Sequence, residues 1–148
     1  MGSRANVRLF LDTNVIFSGL YSSRGAPSAI LELYLDGKIR LVVSRLVLDE
    51  LVVTLKKKFP DGLESMRRLL TSVPPEIIPD PSRDSLQPWL GRLAVGDAAI
   101  IAAAANARPD YFITGDHHFL KYRKIKEFKT LQILTPGEFL SIFQPEDK

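Results

Sequence analysis

Val7-Arg8-Leu9-Phe10-Leu11-Asp12-Thr13-Asn14 is a short, largely apolar run that stops abruptly at three small polar residues. Such a run, closed by turn-forming side chains, reads as a buried strand ending in a polar turn, which puts Asp12 at a strand's carboxyl end. Downstream, Pro27 suits the first turn of a helix running to about Asp36, and Gly37 is placed to stop it. Ile39 to Val43 then reads as a second strand. Ser44 is placed to cap a helix from Arg45 to about Phe59, in which Leu48, Val52, Leu55 and Phe59 recur at helical spacing and Lys56, Lys57 and Lys58 crowd the last turn.

Further along, Asp61 and Glu64 have capping-box spacing for a helix to about Ser72, ended by Pro74 and Pro75. Pro79 to Pro88 is the least ordered-looking stretch. Asp97 opens the alanine-rich segment Ala98 to Ala105, too long for a typical strand and read as a buried helix. Tyr111 to Thr114 is another strand. Gly115 and Asp116 turn the chain into a short helix from His117 to Lys121, and Leu131 to Leu134 supplies a last strand before a helix from Pro136 to Phe143. Short strands alternating with helices imply a three-layer α/β/α sandwich around a central, mainly parallel sheet. Ligands in such sheets collect beyond the carboxyl ends of the strands, where Asp12 and Asp116 both fall and which Asp97 can face.

The 148 residues, 45% of them apolar, fit one domain over residues 1–148. Apolar runs such as Ile100 to Ala105 are far shorter than the roughly 20 residues of a membrane-spanning helix, and the start of the chain has no long apolar stretch. The expectation is a soluble, cytoplasmic protein with no membrane partner. The absence of cysteine excludes disulfides, thiolate zinc sites and a cysteine nucleophile, leaving hard oxygen donors as the main metal chemistry. A net charge of +3 and a pI near 9.3 favour a polyanionic partner only mildly.

Four carboxylates stand out: Asp12, Glu50, Asp97 and Asp116. Taken singly, Asp12 fits a turn, and Asp97 and Asp116 fit helix N-caps. Glu50 lies among Leu46, Val47, Leu48, Leu51, Val52, Val53 and Leu55 in a helix with little polar face, so its charge needs an arginine or a metal ion. Taken together, carboxylates gathered at one sheet edge repel one another unless a cation neutralises them. Oxygen-only ligation suits Mg²⁺ or Mn²⁺, and such ions activate water and orient a phosphodiester, which is nuclease chemistry without histidine or cysteine.

With these residues in place, the chain resembles the PIN-domain (PilT N-terminus-like) family from Val7 almost to Phe143. Leu11-Asp12-Thr13-Asn14-Val15 is similar to the family's opening signature, Ser44 through Leu51 to its "S…L.E" helix, and Asp97 through Ala104 to its "D..I.A.A" helix. Thr114-Gly115-Asp116 followed by Phe119, and the ending Leu134-Thr135-Pro136-Gly137-Glu138-Phe139-Leu140, complete the ordered pattern. The resemblance implies that Asp12, Glu50, Asp97 and Asp116 form a catalytic, metal-binding quartet, with Asn14 and Thr114 as hydrogen-bonding neighbours. It also implies a Mg²⁺- or Mn²⁺-dependent ribonuclease acting on RNA, similar to toxin components of type II toxin–antitoxin systems, homodimeric and inhibited by a small antitoxin protein. Gly96, where many relatives carry a polar or charged residue, departs from the pattern.

Lys121, Arg123, Lys124, Lys126 and Lys129, interleaved with Tyr122 and Phe128, read either as a solvated basic face or as an RNA path, with Arg24 a lesser candidate. Adjacent His117 and His118 lack zinc-ligand spacing and read as ordinary surface residues, while Trp89 reads as a core or interface aromatic. Two competing functions are a catalytically weak PIN-like module that binds RNA or a partner, and a haloacid-dehalogenase-type phosphatase with Asp12 as nucleophile. Against the phosphatase, Asn14 stands where a second aspartate is usual.

Overall fold

In the computed structural model, which describes residues 7–124 and 131–143 with the side chain of Lys124 excepted, β1 (Val7–Leu11) lies at the centre of a five-stranded sheet. The other strands are β2 (Ile39–Ser44), β3 (Glu76–Ile78), β4 (Tyr111–Ile113) and β5 (Ile133–Leu134), in the order β3-β2-β1-β4-β5. Every pairing is parallel: Phe10 stands beside Val42 on one side and Phe112 on the other, and Leu11 beside Ile113. Parallel strands covered on both faces carry mostly apolar side chains, and Leu9, Phe10 and Leu11 of β1 are at zero exposure.

Among the described residues, eight α-helices cover the sheet in a three-layer α/β/α arrangement: α1 (Thr13–Tyr21), α2 (Ala26–Leu35), α3 (Arg45–Lys58), α4 (Gly62–Ser72), α5 (Arg83–Leu86), α6 (Val95–Ala107), α7 (His117–Leu120) and α8 (Pro136–Ile142). Ala98, Ile100, Ile101, Ala102, Ala103 and Ala104 of α6 are all buried, the small alanines letting the helix lie close to its neighbours. Gly19 serves the same end in α1, where a Cβ would stand 2.6 Å from Leu31 Cδ1 and 3.0 Å from the Pro27 carbonyl oxygen. At the amino ends of the strands, the Arg8 guanidinium joins Glu76 of β3 at 2.9 Å and donates to the Ala107 and Arg108 carbonyls at 3.0 Å.

The strands and long helices fall where the sequence places them, and Ser44 caps α3 by accepting from the Val47 amide. Three elements and one cap differ. The polar turn expected after β1 is the start of α1, with Asp12 as its N-cap. β3 fits between Pro75 and Pro79, and the stretch expected to be least ordered holds α5, capped by Ser82 and tied to α6 by Asn106 donating to Ser85 Oγ at 3.1 Å. The expected capping box at Asp61 and Glu64 is absent: Asp61 is already helical and caps nothing with its side chain, and Glu64 pairs with Arg67 at 2.6 Å. A reciprocal box, Thr135 with Glu138, starts α8 instead. Trp89 is buried, edge-on to Tyr122.

Candidate active site at the β1–β4 crevice

The sheet reverses its winding between β1 and β4: the chain steps outward from β1 to β2 and β3, then resumes on the other side with β4 and β5. The loops leaving those two strands diverge to opposite layers and open a crevice at their carboxyl ends. Asp12 leaves β1 with its amide still bonded to the Ile113 carbonyl at 3.0 Å, and Thr114 leaves β4 bonded to the Leu134 carbonyl at 3.0 Å. Asp12 Oδ1 accepts from the Thr13 amide at 2.8 Å, and Oδ2 from the Thr114 hydroxyl at 2.8 Å. Thr114 Oγ1 in turn accepts from the Asp116 amide at 3.0 Å. A strand, a helix start and a turn therefore hold this one carboxylate.

Asp12 is 4% exposed, and loss of hydration raises its carboxyl to about 6, opposed by the bonds from Thr114 and Thr13 and reinforced by the nearby charges of Asp116 and Glu50. Glu50, half-buried in mid-α3, accepts from the Thr13 hydroxyl at 3.0 Å. Its partner in the protein is thus a hydroxyl rather than an arginine. Asp97 is the third residue of α6, inside the first turn rather than at the cap, which is Ala94. Partial burial raises its carboxyl, Asp116 raises it further, and His118 offsets part of this. Asp116 caps α7, with Oδ1 accepting from the His118 amide at 2.9 Å.

All four carboxylates, with Asn14, line one cleft of about 420 Å³. Asp49, a fifth acid absent from the sequence reading, also lines it; its place one residue before Glu50 was the available signal. Leu46, Val53, Ile100 and Phe119 form an apolar wall, and among the described residues no lysine or arginine lines the cleft. A neighbouring hollow of about 460 Å³ shares Asn14 and Asp116 and adds Ser18, Pro27, His117 and His118. Five acids without a base fit a divalent cation, and the donors are the hard oxygens that Mg²⁺ and Mn²⁺ take.

The tightest group of ligand atoms among the described residues is a carboxylate oxygen of Asp97, one of Asp116 and a ring nitrogen of His118, all within 4.8 Å of one another. His118 is an exposed surface residue, as expected, with a ring nitrogen near these two carboxylates. The carboxylates near it come from α6 and from the turn after β4, not from its own helix neighbour His117. Asp12 and Glu50 line the same cleft outside this group of three. Of the basic candidates, Arg24 is exposed in the turn between α1 and α2, Arg123 is paired with Glu138 at 2.7 Å, and the Lys121 ammonium lies 5.4 Å from the Tyr122 ring centre. None of these three lines either hollow. The side chain of Lys124, and Lys126, Phe128 and Lys129, lie outside the described residues.

Residues 8–118 match the family model of the PIN domain. The chain belongs to the PIN-domain family. That assignment removes the phosphatase alternative. Among solved structures, this PIN domain is similar to VapBC2 from Rickettsia felis bound to a DNA fragment from its promoter, with a TM-score of 0.62 and 18% identity over 87% of this chain and 98% of that one. It is also similar to PAE2754 from Pyrobaculum aerophilum, with a TM-score of 0.62 and 20% identity over 95% and 96% of the two chains. DNA-bound VapBC from Salmonella typhimurium gives a TM-score of 0.61 and 14% identity over 88% and 98%. At these identities the likeness speaks for the fold. No curated protein matches the chain. Among the described residues, no helix is long and apolar enough to cross a membrane.

Proposed function

We propose that this PIN domain is a metal-dependent endoribonuclease that hydrolyses RNA phosphodiester bonds, and that it is the toxin of a toxin–antitoxin pair. The observation that carries the reading is the cleft at the β1–β4 crevice, lined by Asp12, Glu50, Asp97 and Asp116 with no basic residue among its described walls. Those four would hold Mg²⁺ or Mn²⁺, and when bound such an ion activates water and offsets charge on the phosphate oxygens. The protein's own part is positioning. Thr114 and the Thr13 amide fix Asp12, the Thr13 hydroxyl fixes Glu50, and Asn14 stands where the cleft meets the neighbouring hollow.

The apolar wall offered by Leu46 and the exposed Val53 suits an unstacked nucleobase, which a single strand offers and a regular duplex does not. Arg24, Lys121, Arg123 and Lys124 would contact phosphates farther along the strand, Arg123 by exchanging Glu138 for RNA. The likeness to two VapBC assemblies supports a small antitoxin partner, and homodimer formation and a cytoplasmic location belong to the same reading.

The test is cleavage of a panel of labelled RNAs by the purified chain with Mn²⁺, with Mg²⁺ and with EDTA, beside an Asp97→Asn variant. The expected result is metal-dependent cutting that falls by at least about a hundredfold in the variant. Equal background from both proteins under all three conditions would instead favour a catalytically weak module that binds RNA or a protein partner.

A further inference from the structure

We propose that His118 supplies a nitrogen ligand to the metal ion of the carboxylate cleft and tilts the centre toward Mn²⁺ over Mg²⁺. The inference rests on the metal-binding part of the reading above and not on the identity of the RNA. Its basis is the meeting of three separate pieces of chain: Asp97 from the first turn of α6, Asp116 from the turn after β4, and His118 from the second position of α7. Their ligand atoms lie within 4.8 Å of one another. A cation bonded at about 2.1–2.3 Å sets its ligands no more than about 4.5 Å apart. Small side-chain rotations close that difference, and His118, 71% exposed, has room to turn.

Local bonding orients the group for this role. The His118 amide already occupies Asp116 Oδ1 at 2.9 Å, which leaves Oδ2 available to a cation. The imidazole Nδ1 stands 3.5 Å from the same Oδ1, too far for a good hydrogen bond, so the ring gains little from its present neighbour. His118 lines the adjoining hollow, and Asp116 lines both that hollow and the acidic cleft, so the ring approaches from the side the carboxylates leave open. Both ions take oxygen ligands, but Mg²⁺ gives up its waters reluctantly, whereas Mn²⁺, the first of the divalent transition-metal series, exchanges a water for an imidazole nitrogen more readily. The carboxylates alone accept either ion; one imidazole added to them distinguishes the two.

The chain contains two histidines, so a nitrogen signal is assigned with two variants. Metal-free protein is titrated with Mn²⁺ and with Mg²⁺ by calorimetry, and the Mn²⁺ complex is read by electron spin-echo spectroscopy for imidazole nitrogen coupling. The expected result is coupling in the wild type and in His117→Gln that disappears in His118→Gln. With it, the Mn²⁺ dissociation constant rises by about tenfold while that of Mg²⁺ moves by less than about twofold. An unchanged melting temperature verifies that the exposed substitution leaves the fold intact. Mn²⁺ bound without nitrogen coupling, and lost in Asp97→Asn, would overturn the role of His118 and leave the carboxylate centre standing. No Mn²⁺ binding to any form would overturn the metal reading and this inference with it.

Discussion

Asp12 carries the strongest electrostatic tension in the chain's described acids, because it accepts two hydrogen bonds and still has its carboxyl raised from 3.8 to about 6 by burial. The consequence for stability has a definite sign. Below pH 3.8 the neutral carboxyl is fully accommodated; between pH 3.8 and 6 the unfolded chain ionises first, so metal-free stability from this group is lost as the pH rises, and above 6 it stays lost. Asp97, also raised, slopes the same way, while exposed Glu64 and Glu138, held low by bonds from Arg67 and from the Thr135 amide, slope the other way. Comparing variants cancels those backgrounds. In EDTA at pH 8, Asp12→Asn is expected to be more stable than wild type to urea by roughly 1–2 kcal/mol, part of the electrostatic gain being spent on weaker bonds to Thr13 and Thr114. The difference should vanish near pH 3.5. Asp12 and Asp116 were legible as site candidates because each follows an apolar strand, and Asp97 and Glu50 because each is an acid in an apolar helix. His118 was not legible, since its partners are set by packing of α6 beside the β4 turn, which no local spacing encodes.

At the scale of elements, what could be read depended on length and on the breadth of the apolar pattern. α6 and β1 were clear because apolar residues dominate both, with Leu9, Phe10 and Leu11 of β1 and Ala98 and Ile100 to Ala104 of α6 buried. α1 was hidden by the same polar triplet that marks the site: Asp12-Thr13-Asn14 suits a turn, and here it is the cap and first residues of a helix that the sequence reading left out. β3 has three residues between prolines and pairs on one side only, so register with β2, not propensity, creates it. Arg8 is what ties that edge strand and the end of α6 to the centre. Replacing it with glutamine should lower unfolding free energy by about 1–2 kcal/mol, the bonds to the two carbonyls mattering more than the partly exposed pair with Glu76. Because Arg8 lies at the opposite ends of the strands from the cleft, Mn²⁺ affinity measured by calorimetry should not change. A loss of affinity would mean that the two ends of the sheet are coupled.

For the molecule as a whole, the strand order decides where chemistry is sited, and the order β3-β2-β1-β4-β5 was beyond the sequence, which indicated parallel strands but not their neighbours. An ion binding the folded chain alone stabilises it by mass action, about 2.7 kcal/mol at a hundred times the dissociation constant. For a domain of this size that is a rise in Tm of about 5–10 °C. Differential scanning fluorimetry with Mn²⁺ should show it in the wild type and not in Asp97→Asn. The central position of β1 has one more consequence. β1 finds its partner β4 only after about a hundred further residues have been synthesised, and Asp116 arrives after β4. A growing polypeptide on the ribosome therefore carries Asp12 through about a hundred residues of synthesis without the neighbours that complete the cleft, and the gathering of acids exists only once that pairing closes.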